Sequence, residues 1–458
     1  MSDTAVNCVD QLRRYAQTIS DARTPAQQEE DVVNKLNDIL FEDAQPSTSY
    51  EQIPVFHFSR PQKGSIKAKL RQLARLQHLS ICSHNILGQL QLDDVWFCLL
   101  RHATKAANSP DDSRLHYDDF CQAATECTDA LKLSAVRPYF TASVFLQMSK
   151  DLQGTISIPC FHHYIVRKNA MLQTMIHMGC FDTGGDGGVT DTELQAYIAA
   201  LVPELPGLQG IDRSMAVDTY AQIAARKFLF FLGKKGKVKI RDIVMSSMWY
   251  ELMELRVEAD PEQPQEGWFS KGNSERLRNI FFHLDQDMNG HLSKHEFCKN
   301  TVGSFSPIFL DRVYEEHLVS HKTCRAKGYP DQMDFGAFLD FMLAWDNRSS
   351  LAGIQYLFPV LDLKGRGYLS QADVYTFFRQ IYKMWVDCGL YPELNIEDVK
   401  DEVFDMAQPE DPLHITTQDL QKCGMAATII GMLADVNLFW EYDNRETLMQ
   451  RDKDDQGK

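Results

Sequence analysis

Apolar residues recur at helical spacing along most of the chain, in segments that are separated by short acidic or glycine-bearing loops. The first clear segment carries basic residues between its apolar positions, which indicates an amphipathic basic helix. Its basic face is either a solvated surface or a dock for an acidic partner, and the pattern leaves both interpretations open. The apolar positions are Ile66, Leu70, Leu73, Leu76 and Leu79, and the basic positions are Lys67, Lys69, Arg71 and Arg75.

One loop sets oxygen-bearing residues at its first, third, fifth, seventh, ninth and twelfth places. This spacing is that of the calcium-binding loop of an EF-hand, in which the seventh residue contributes its backbone carbonyl and the twelfth a two-oxygen carboxylate. Gly290 stands at the sixth place, where the chain bends sharply at positive φ. The sequence therefore predicts a Ca²⁺ site here. Its ligands are Asp285, Asp287, Asn289, His291, Ser293 and Glu296.

A second loop of the same kind is incomplete. Gly184 stands at its third place and offers no side-chain oxygen, although a water molecule could supply that ligand. We expect a weaker calcium site, and the sequence does not decide whether it is occupied. No Lys-Ser/Thr pair follows the glycines, which argues against a phosphate-binding loop. The candidate ligands are Asp182, Asp186, Gly188, Thr190 and Glu193.

The unit of helix, loop, hydrophobic residue and helix can be aligned at least five times, and the remaining copies lack essential ligands. In one of them Lys364 and Arg366 stand at ligand places, so positive charge is expected to replace the ion. The pattern predicts a mainly α-helical fold, with tandem EF-hand-like helix–loop–helix pairs that form two elongated lobes and short β-bridges between paired loops. The copies without predicted metal lie at 149–160, 228–240, 332–341, 362–373 and 405–419.

Domain boundaries are predicted from changes in composition. The stretch 260–267 is polar and rich in proline, as expected of a linker between two EF-hand-like lobes. The predicted order is a variable, partly disordered arm at 1–50, a helical region at 51–130, a first lobe at 131–259, the linker, and a second lobe at 268–458 with C-terminal helices and a short polar tail.

Composition excludes several classes of protein. Forty-seven basic and sixty-three acidic side chains give the 458-residue chain a formal charge of −16, which disfavours nucleic-acid or anionic-membrane binding. Eleven cysteines without a Cys-x-x-Cys pair indicate free thiols in a reducing compartment. No run approaches the ~18 apolar residues needed to cross a bilayer, so we expect a cytoplasmic protein without membrane insertion. No hydrolase, metalloprotease, phosphate-loop or kinase motif is present, and we expect no enzyme.

Short sequence segments outside the calcium loop resemble those of the B double-prime regulatory subunits of protein phosphatase type 2A, most of all the gamma-type members. The resemblance covers about residues 52 to 447. It implies a noncatalytic subunit that docks on a helical-repeat scaffold, contacts the catalytic subunit and thereby selects substrates and location. The similar segments open with the residues Ile53-Pro, Trp96-Phe, Tyr139-Phe-Thr-Ala, Arg226-Lys-Phe-Leu-Phe-Phe, Trp268-Phe-Ser, Leu284-Asp-Gln-Asp, Phe309-Leu-Asp-Arg-Val, Asp401-Glu-Val-Phe and Phe439-Trp-Glu-Tyr.

The resemblance also implies that calcium at the Asp285 loop modulates assembly, and that the protein associates with centrosomes, spindles or microtubules and enters the nucleus. A second function is compatible with the same residues: an adaptor that exposes an apolar groove in calcium and binds target helices without any phosphatase. The two functions differ in one observable, binding to the phosphatase subunits.

Overall fold

The computed structural model describes residues 65–104, 113–211, 214–257, 267–300, 304–318, 332–387, 389 and 395–445. All of them lie in the unit 64–458, and the predicted N-terminal arm at 1–50 lies outside the described residues. The prediction of a mainly α-helical fold is confirmed. No helix in the described ranges combines the length and the apolar character that crossing a membrane requires.

Nineteen α-helices are present in the described ranges. Several begin where a polar side chain accepts a backbone N–H of the first turn, as Ser270 and Asp334 do. The helices are α1 Ile66–His84, α2 Gln89–Arg101, α3 Tyr117–Thr125, α4 Ala142–Gln147, α5 Ile158–Phe181, α6 Asp191–Leu201, α7 Ser214–Leu232, α8 Ile240–Val244, α9 Ser247–Met253, α10 Lys271–Leu284, α11 Lys294–Asn300, α12 Pro307–Val313, α13 Phe335–Asp346, α14 Leu351–Leu361, α15 Gln371–Asp387, α16 Ile396–Ala407, α17 Thr417–Cys423, α18 Ala426–Ala434 and α19 Val436–Asp443.

Short antiparallel strands join the loops in pairs, as the repeat predicts. In each pair, the residue at the centre of the bridge is apolar and buried, so that the bridge closes over the core between the helices. The strand pairs are β1 Arg114–Leu115 with β2 Ile156–Ser157, β3 Gly188–Thr190 with β4 Lys237–Lys239, β5 His291–Ser293 with β6 Gln332–Asp334, and β7 Leu369–Ser370 with β8 His414–Ile415.

One of these helix–loop–helix units is absent from the predicted copies. It consists of α2, β1 and α3, and its strand pairs with the loop of the 149–160 copy. The predicted boundary between residues 130 and 131 therefore separates two strands that are hydrogen-bonded to each other. The distorted copy at 405–419 forms a loop pair with the copy at 362–373, because its strand β8 pairs with β7 of that loop.

Two hydrophobic cores divide the described chain at a different place from the predicted linker. One core includes residues from Leu87 to Ile165, and the other includes residues from Met178 to Phe439. The second core includes residues on both sides of 260–267, with Leu255 before this stretch and Trp268 and Phe269 after it. The indole Nε1 of Trp268 donates to the carbonyl of Ile223 at 2.9 Å. Helix α5 contributes buried residues to both cores, through Ile158 and Ile165 to the smaller one and through Met178 to the larger one.

A partly buried ion pair links the second and third pairs of EF-hand-like units. Arg226 of α7 donates from Nε and Nη2 to the two carboxylate oxygens of Asp340 on α13, both at 2.6 Å. Its Nη1 donates to Asp191 of α6 at 3.1 Å. Burial lowers the pKa of Arg226, but the hydrogen bonds and charges of Asp340 and Asp191 outweigh that effect and raise it. The guanidinium stays charged and fixes three helices relative to one another.

Candidate metal centre

The loop that follows α10 is held by apolar residues at both ends. Leu284 precedes it, Leu292 lies in the middle of β5, and Phe297 follows it, and all three side chains are buried in the larger core. Between these anchors the backbone turns at Gly290, which has φ of +77°. The loop is therefore fixed to the core at its ends, while its polar side chains turn towards its own centre.

Three carboxylates of this loop come together. Asp285, Asp287 and Glu296 each offer an oxygen, and these oxygens all lie within 4.8 Å of one another. Asp285 and Glu296 are buried, with 3% and 8% of their surface exposed. Like charges at this spacing repel one another in a partly buried site, and a hard divalent cation relieves that repulsion. The three carboxylates therefore form a donor set that suits such a cation.

Backbone and hydroxyl donors orient the carboxylates. Asp285 accepts N–H bonds from Asn289 at 3.1 Å and from Gly290 at 2.9 Å. Glu296 accepts the Ser293 N–H at 2.8 Å and the Ser293 hydroxyl at 2.7 Å. The side-chain oxygen of Asn289 accepts the N–H of His291 at 2.7 Å. All six predicted ligand residues thus lie in one ordered loop, and hydrogen bonds set the positions of its oxygens.

The protonation state of Glu296 also suits a cation. Burial raises the pKa of this carboxyl, but hydrogen bonds from Ser293 and from the backbone at Gln286 and Asp287 outweigh burial and leave the pKa below its usual value. Glu296 is therefore ionised at neutral pH. No lysine or arginine among the described residues forms an ion pair with Asp285, Asp287 or Glu296, and Lys294 of the same loop pairs with Asp311 instead, at 2.7 Å.

We expect Gly290→Ala to weaken calcium binding. The positive φ at this position costs an L-residue about 1–2 kcal/mol, so the alanine loop would abandon the turn that supports the ligands. Isothermal titration calorimetry should report an affinity lowered by roughly tenfold. Gly272→Ala is the matched control, because Gly272 lies in α10, outside the loop. Equal affinities for wild type and Gly290→Ala would contradict the role of this turn.

The second candidate loop is arranged differently. Its carboxylates are not gathered as in the Asp285 loop, and basic side chains contact two of them. Arg75 Nη1 lies 2.7 Å from Asp182 Oδ2, and Lys237 Nζ lies 2.9 Å from Asp186 Oδ2. Glu193 accepts hydrogen bonds from the backbone N–H groups of Thr183 and Thr190, at 2.9 and 2.8 Å, whereas Gly188 pairs with Lys239 in the strand ladder. As it stands, this donor set does not fit a calcium ion.

The loop that begins at Asp362 contains a basic side chain that pairs with one of its own carboxylates. The guanidinium of Arg366, at the fifth place, donates to Asp373, at the twelfth. Asp373 accepts the Ser370 N–H at 2.9 Å as well. The sequence predicts this substitution of a positive side chain for the ion, and the ion pair agrees with it.

A further cluster of potential ligands has no counterpart in the sequence prediction. Cys98 and His102 lie one helical turn apart, on α2 and at its end, and Glu126 approaches them after α3. His102 Nε2 and Glu126 Oε2 lie 2.6 Å apart, and the Cys98 thiol donates to the carbonyl of Ala123 at 3.7 Å. Each of these groups already has a partner beside the smaller core, since Glu126 also pairs with Arg101 at 2.5 Å. The turn-spaced Cys98 and His102 are the only sequence signal of the cluster.

Comparison with known proteins places the whole chain in one family. No protein-family profile matches it. TON2 from Arabidopsis thaliana, a probable B''-type regulatory component of serine/threonine-protein phosphatase 2A, is 36% identical over 448 residues, which cover 96% of this chain and 92% of the relative. The B'' subunit gamma from Homo sapiens is 36% identical over 410 residues, with 88% and 87% covered. A solved chain of a PP2A PR70 holoenzyme is 19% identical with a TM-score of 0.48, and the alignment covers 56% of this chain and 93% of that one.

The chain therefore belongs to the B'' family of regulatory subunits of serine/threonine-protein phosphatase 2A. The resemblance found in the sequence is confirmed. Its relatives are named as regulatory subunits, so this protein is not an enzyme, and its role in phosphatase 2A is regulatory.

Proposed function

We propose that this protein is a calcium-binding regulatory subunit that docks on the scaffold and catalytic subunits of phosphatase 2A and directs the enzyme to its substrates. The similarity to B'' subunits along nearly the whole chain is the observation that carries the proposal. The three converging carboxylates of the Asp285 loop support calcium as the input. Placement of the enzyme at centrosomes, spindles or microtubules follows only from the resemblance to gamma-type members and is the finer part of the proposal.

The loop suggests how calcium would act. Asp285 closes α10, and Glu296 lies in the first turn of α11, so a ligand that joins their carboxylates also joins the two helices. When bound, calcium supplies the positive charge that the converging carboxylates lack, and Glu296 and Asp285 hold the helix ends in one relative orientation. The fixed angle between α10 and α11 would then present one surface to the phosphatase subunits.

Co-elution on a sizing column tests the docking. The full chain is mixed with purified scaffold and catalytic subunits in calcium, and we expect a single complex that contains all three. The human B'' subunit gamma, added in excess, should displace the chain from this complex if both occupy the same site. Separate elution of the chain would contradict the proposal and would favour the adaptor that binds target helices without a phosphatase.

A further inference from the structure

Helix α1 is attached to the Asp182 loop by a buried ion pair. Arg75 Nη1 lies 2.7 Å from Asp182 Oδ2, and Arg75 Nη2 donates to the carbonyl of Gly179 at 3.5 Å. The carboxylate of Asp182 is completely buried, whereas the side chain of Arg75 is 19% exposed. A buried carboxylate needs a countercharge, and a helix distant in sequence supplies it here.

An apolar contact beside the ion pair brings the two helices close together. Leu79 of α1 packs over Gly179 near the end of α5, and a Cβ at position 179 would lie 3.2 Å from the Leu79 side chain. Glycine at this position therefore permits the approach that brings Arg75 within reach of Asp182. The contact has both a hydrophobic and a charged component.

Three loops of the chain begin with the same local geometry, which makes the difference between them informative. The first-place aspartate of each loop is buried and accepts the N–H of the sixth-place glycine. The source of positive charge differs among them. Arg75 reaches Asp182, at the first place, from α1, whereas Arg366 reaches Asp373, at the twelfth place, from within its own loop. No described lysine or arginine pairs with Asp285. The distances from glycine N to aspartate Oδ2 are 2.7 Å for Gly187 and Asp182, 2.9 Å for Gly290 and Asp285, and 2.6 Å for Gly367 and Asp362.

A second cation acts at the same loop. Lys237 belongs to β4 of the paired loop, and its Nζ lies 2.9 Å from Asp186 Oδ2. Arg75 and Lys237 together supply two positive charges to the two aspartates, which is the charge of one calcium ion. The loop also lacks a side-chain oxygen at Gly184.

We infer that the Asp182 loop binds the guanidinium of Arg75 in place of calcium, and that this ion pair holds α1 against the larger core. An EF-hand loop becomes an intramolecular docking site for a basic helix. Calcium then acts at the Asp285 loop alone, and the position of α1 does not depend on it. The inference does not rest on the proposed phosphatase function, because both partners of the ion pair belong to this chain.

Hydrogen exchange of the full chain tests whether the ion pair between Arg75 and Asp182 holds α1 in place. In Arg75→Gln we expect the backbone amides of α1 to exchange about tenfold faster than in wild type, because the ion pair that holds the helix is lost. Arg71→Gln is the matched control, since Arg71 is exposed on the same helix, and it should exchange as wild type does. Equal exchange in Arg75→Gln and Arg71→Gln would overturn the inference. Asp182→Asn should loosen α1 as well, and adding Arg75→Gln to it should have little further effect.

Equilibrium dialysis with calcium tests the replacement of the ion. Glu296→Gln weakens the Asp285 loop, so that a contribution from the Asp182 loop can be measured beside it. At about 1 mM calcium, we expect any binding that Glu296→Gln retains to be unchanged when Glu193→Gln is added, because that binding belongs to the weakened Asp285 loop. An ion that is retained in Glu296→Gln and lost when Glu193→Gln is added would overturn the inference. The hydrogen exchange of α1 is measured separately. If the Asp285 loop proves not to bind calcium, the test of the ion pair between Arg75 and Asp182 is therefore unaffected.

Discussion

Replacing Glu296 with Gln is expected to lower the calcium affinity of the chain by about 100-fold, equivalent to about 2.7 kcal/mol. The glutamine keeps the size of the side chain but loses the charge and the second strong oxygen ligand at the twelfth place of the loop. Calcium at about 100 times its dissociation constant stabilises a protein by about 2.7 kcal/mol, and the variant would retain about 0.4 kcal/mol of this at the same concentration. Titration calorimetry and thermal unfolding in calcium and in chelator measure both quantities.

Glu275→Gln is the matched control for this substitution. Glu275 lies on the exposed face of α10, outside the loop, and the same charge is removed. It should leave calcium binding unchanged. In chelator, Glu296→Gln should unfold near the wild-type temperature, because the loss of hydrogen bonds to Ser293 is offset by weaker repulsion among the carboxylates. If calcium stabilises Glu296→Gln and wild type equally, the Asp285 loop is not the binding site.

Replacing Arg226 with Met should lower the free energy of unfolding by about 3–5 kcal/mol. The substitution leaves Asp340 partly buried without its bidentate partner and removes the bond from α7 to Asp191. Loss of one partner of a buried pair is costly because the remaining charge keeps its desolvation penalty. Urea unfolding of the full chain, followed by circular dichroism, measures the change.

Two further variants distinguish the loss of the ion pair from the general effect of replacing an arginine with methionine. Arg241→Met changes an exposed arginine on α8 and should alter stability by no more than about 0.5 kcal/mol. Arg226→Met combined with Asp340→Leu should recover part of the loss, since the carboxylate that lost its bidentate partner is removed as well. An Arg226→Met protein as stable as Arg241→Met would show that the link between α7 and α13 contributes little.

The EF-hand loops could be predicted from the sequence because their information is local. Twelve consecutive residues set the ligands at Asp285 and Glu296, the turn at Gly290 and the bridge at Leu292, and the structure assembles them as the spacing indicates. The first unit, between α2 and α3, lacks this local information. Its connecting sequence from 102 to 116 contains no glycine and does not repeat the ligand spacing, although its strand pairs as the others do.

Contacts between distant residues could not be predicted in this way. The basic pattern of α1 is the same whether Arg75 is solvated or bound, and its partner Asp182 follows more than a hundred residues later. Composition at 260–267 resembles a linker, but the next residues, Trp268 and Phe269, are buried in the core that both sides share. Polar segments indicate exposed chain, whereas the extent of a core depends on which apolar residues meet in three dimensions.

The affinity of the full chain for the assembled scaffold and catalytic subunits, measured by biolayer interferometry in calcium and in chelator, tests the central claim most directly. We expect wild type to bind more tightly in calcium, and Glu296→Gln to bind with the same, lower affinity in both buffers, because assembly is linked to the ion through this loop. An absence of binding in both buffers, or an equal response to calcium in wild type and Glu296→Gln, would contradict a calcium-linked regulatory subunit.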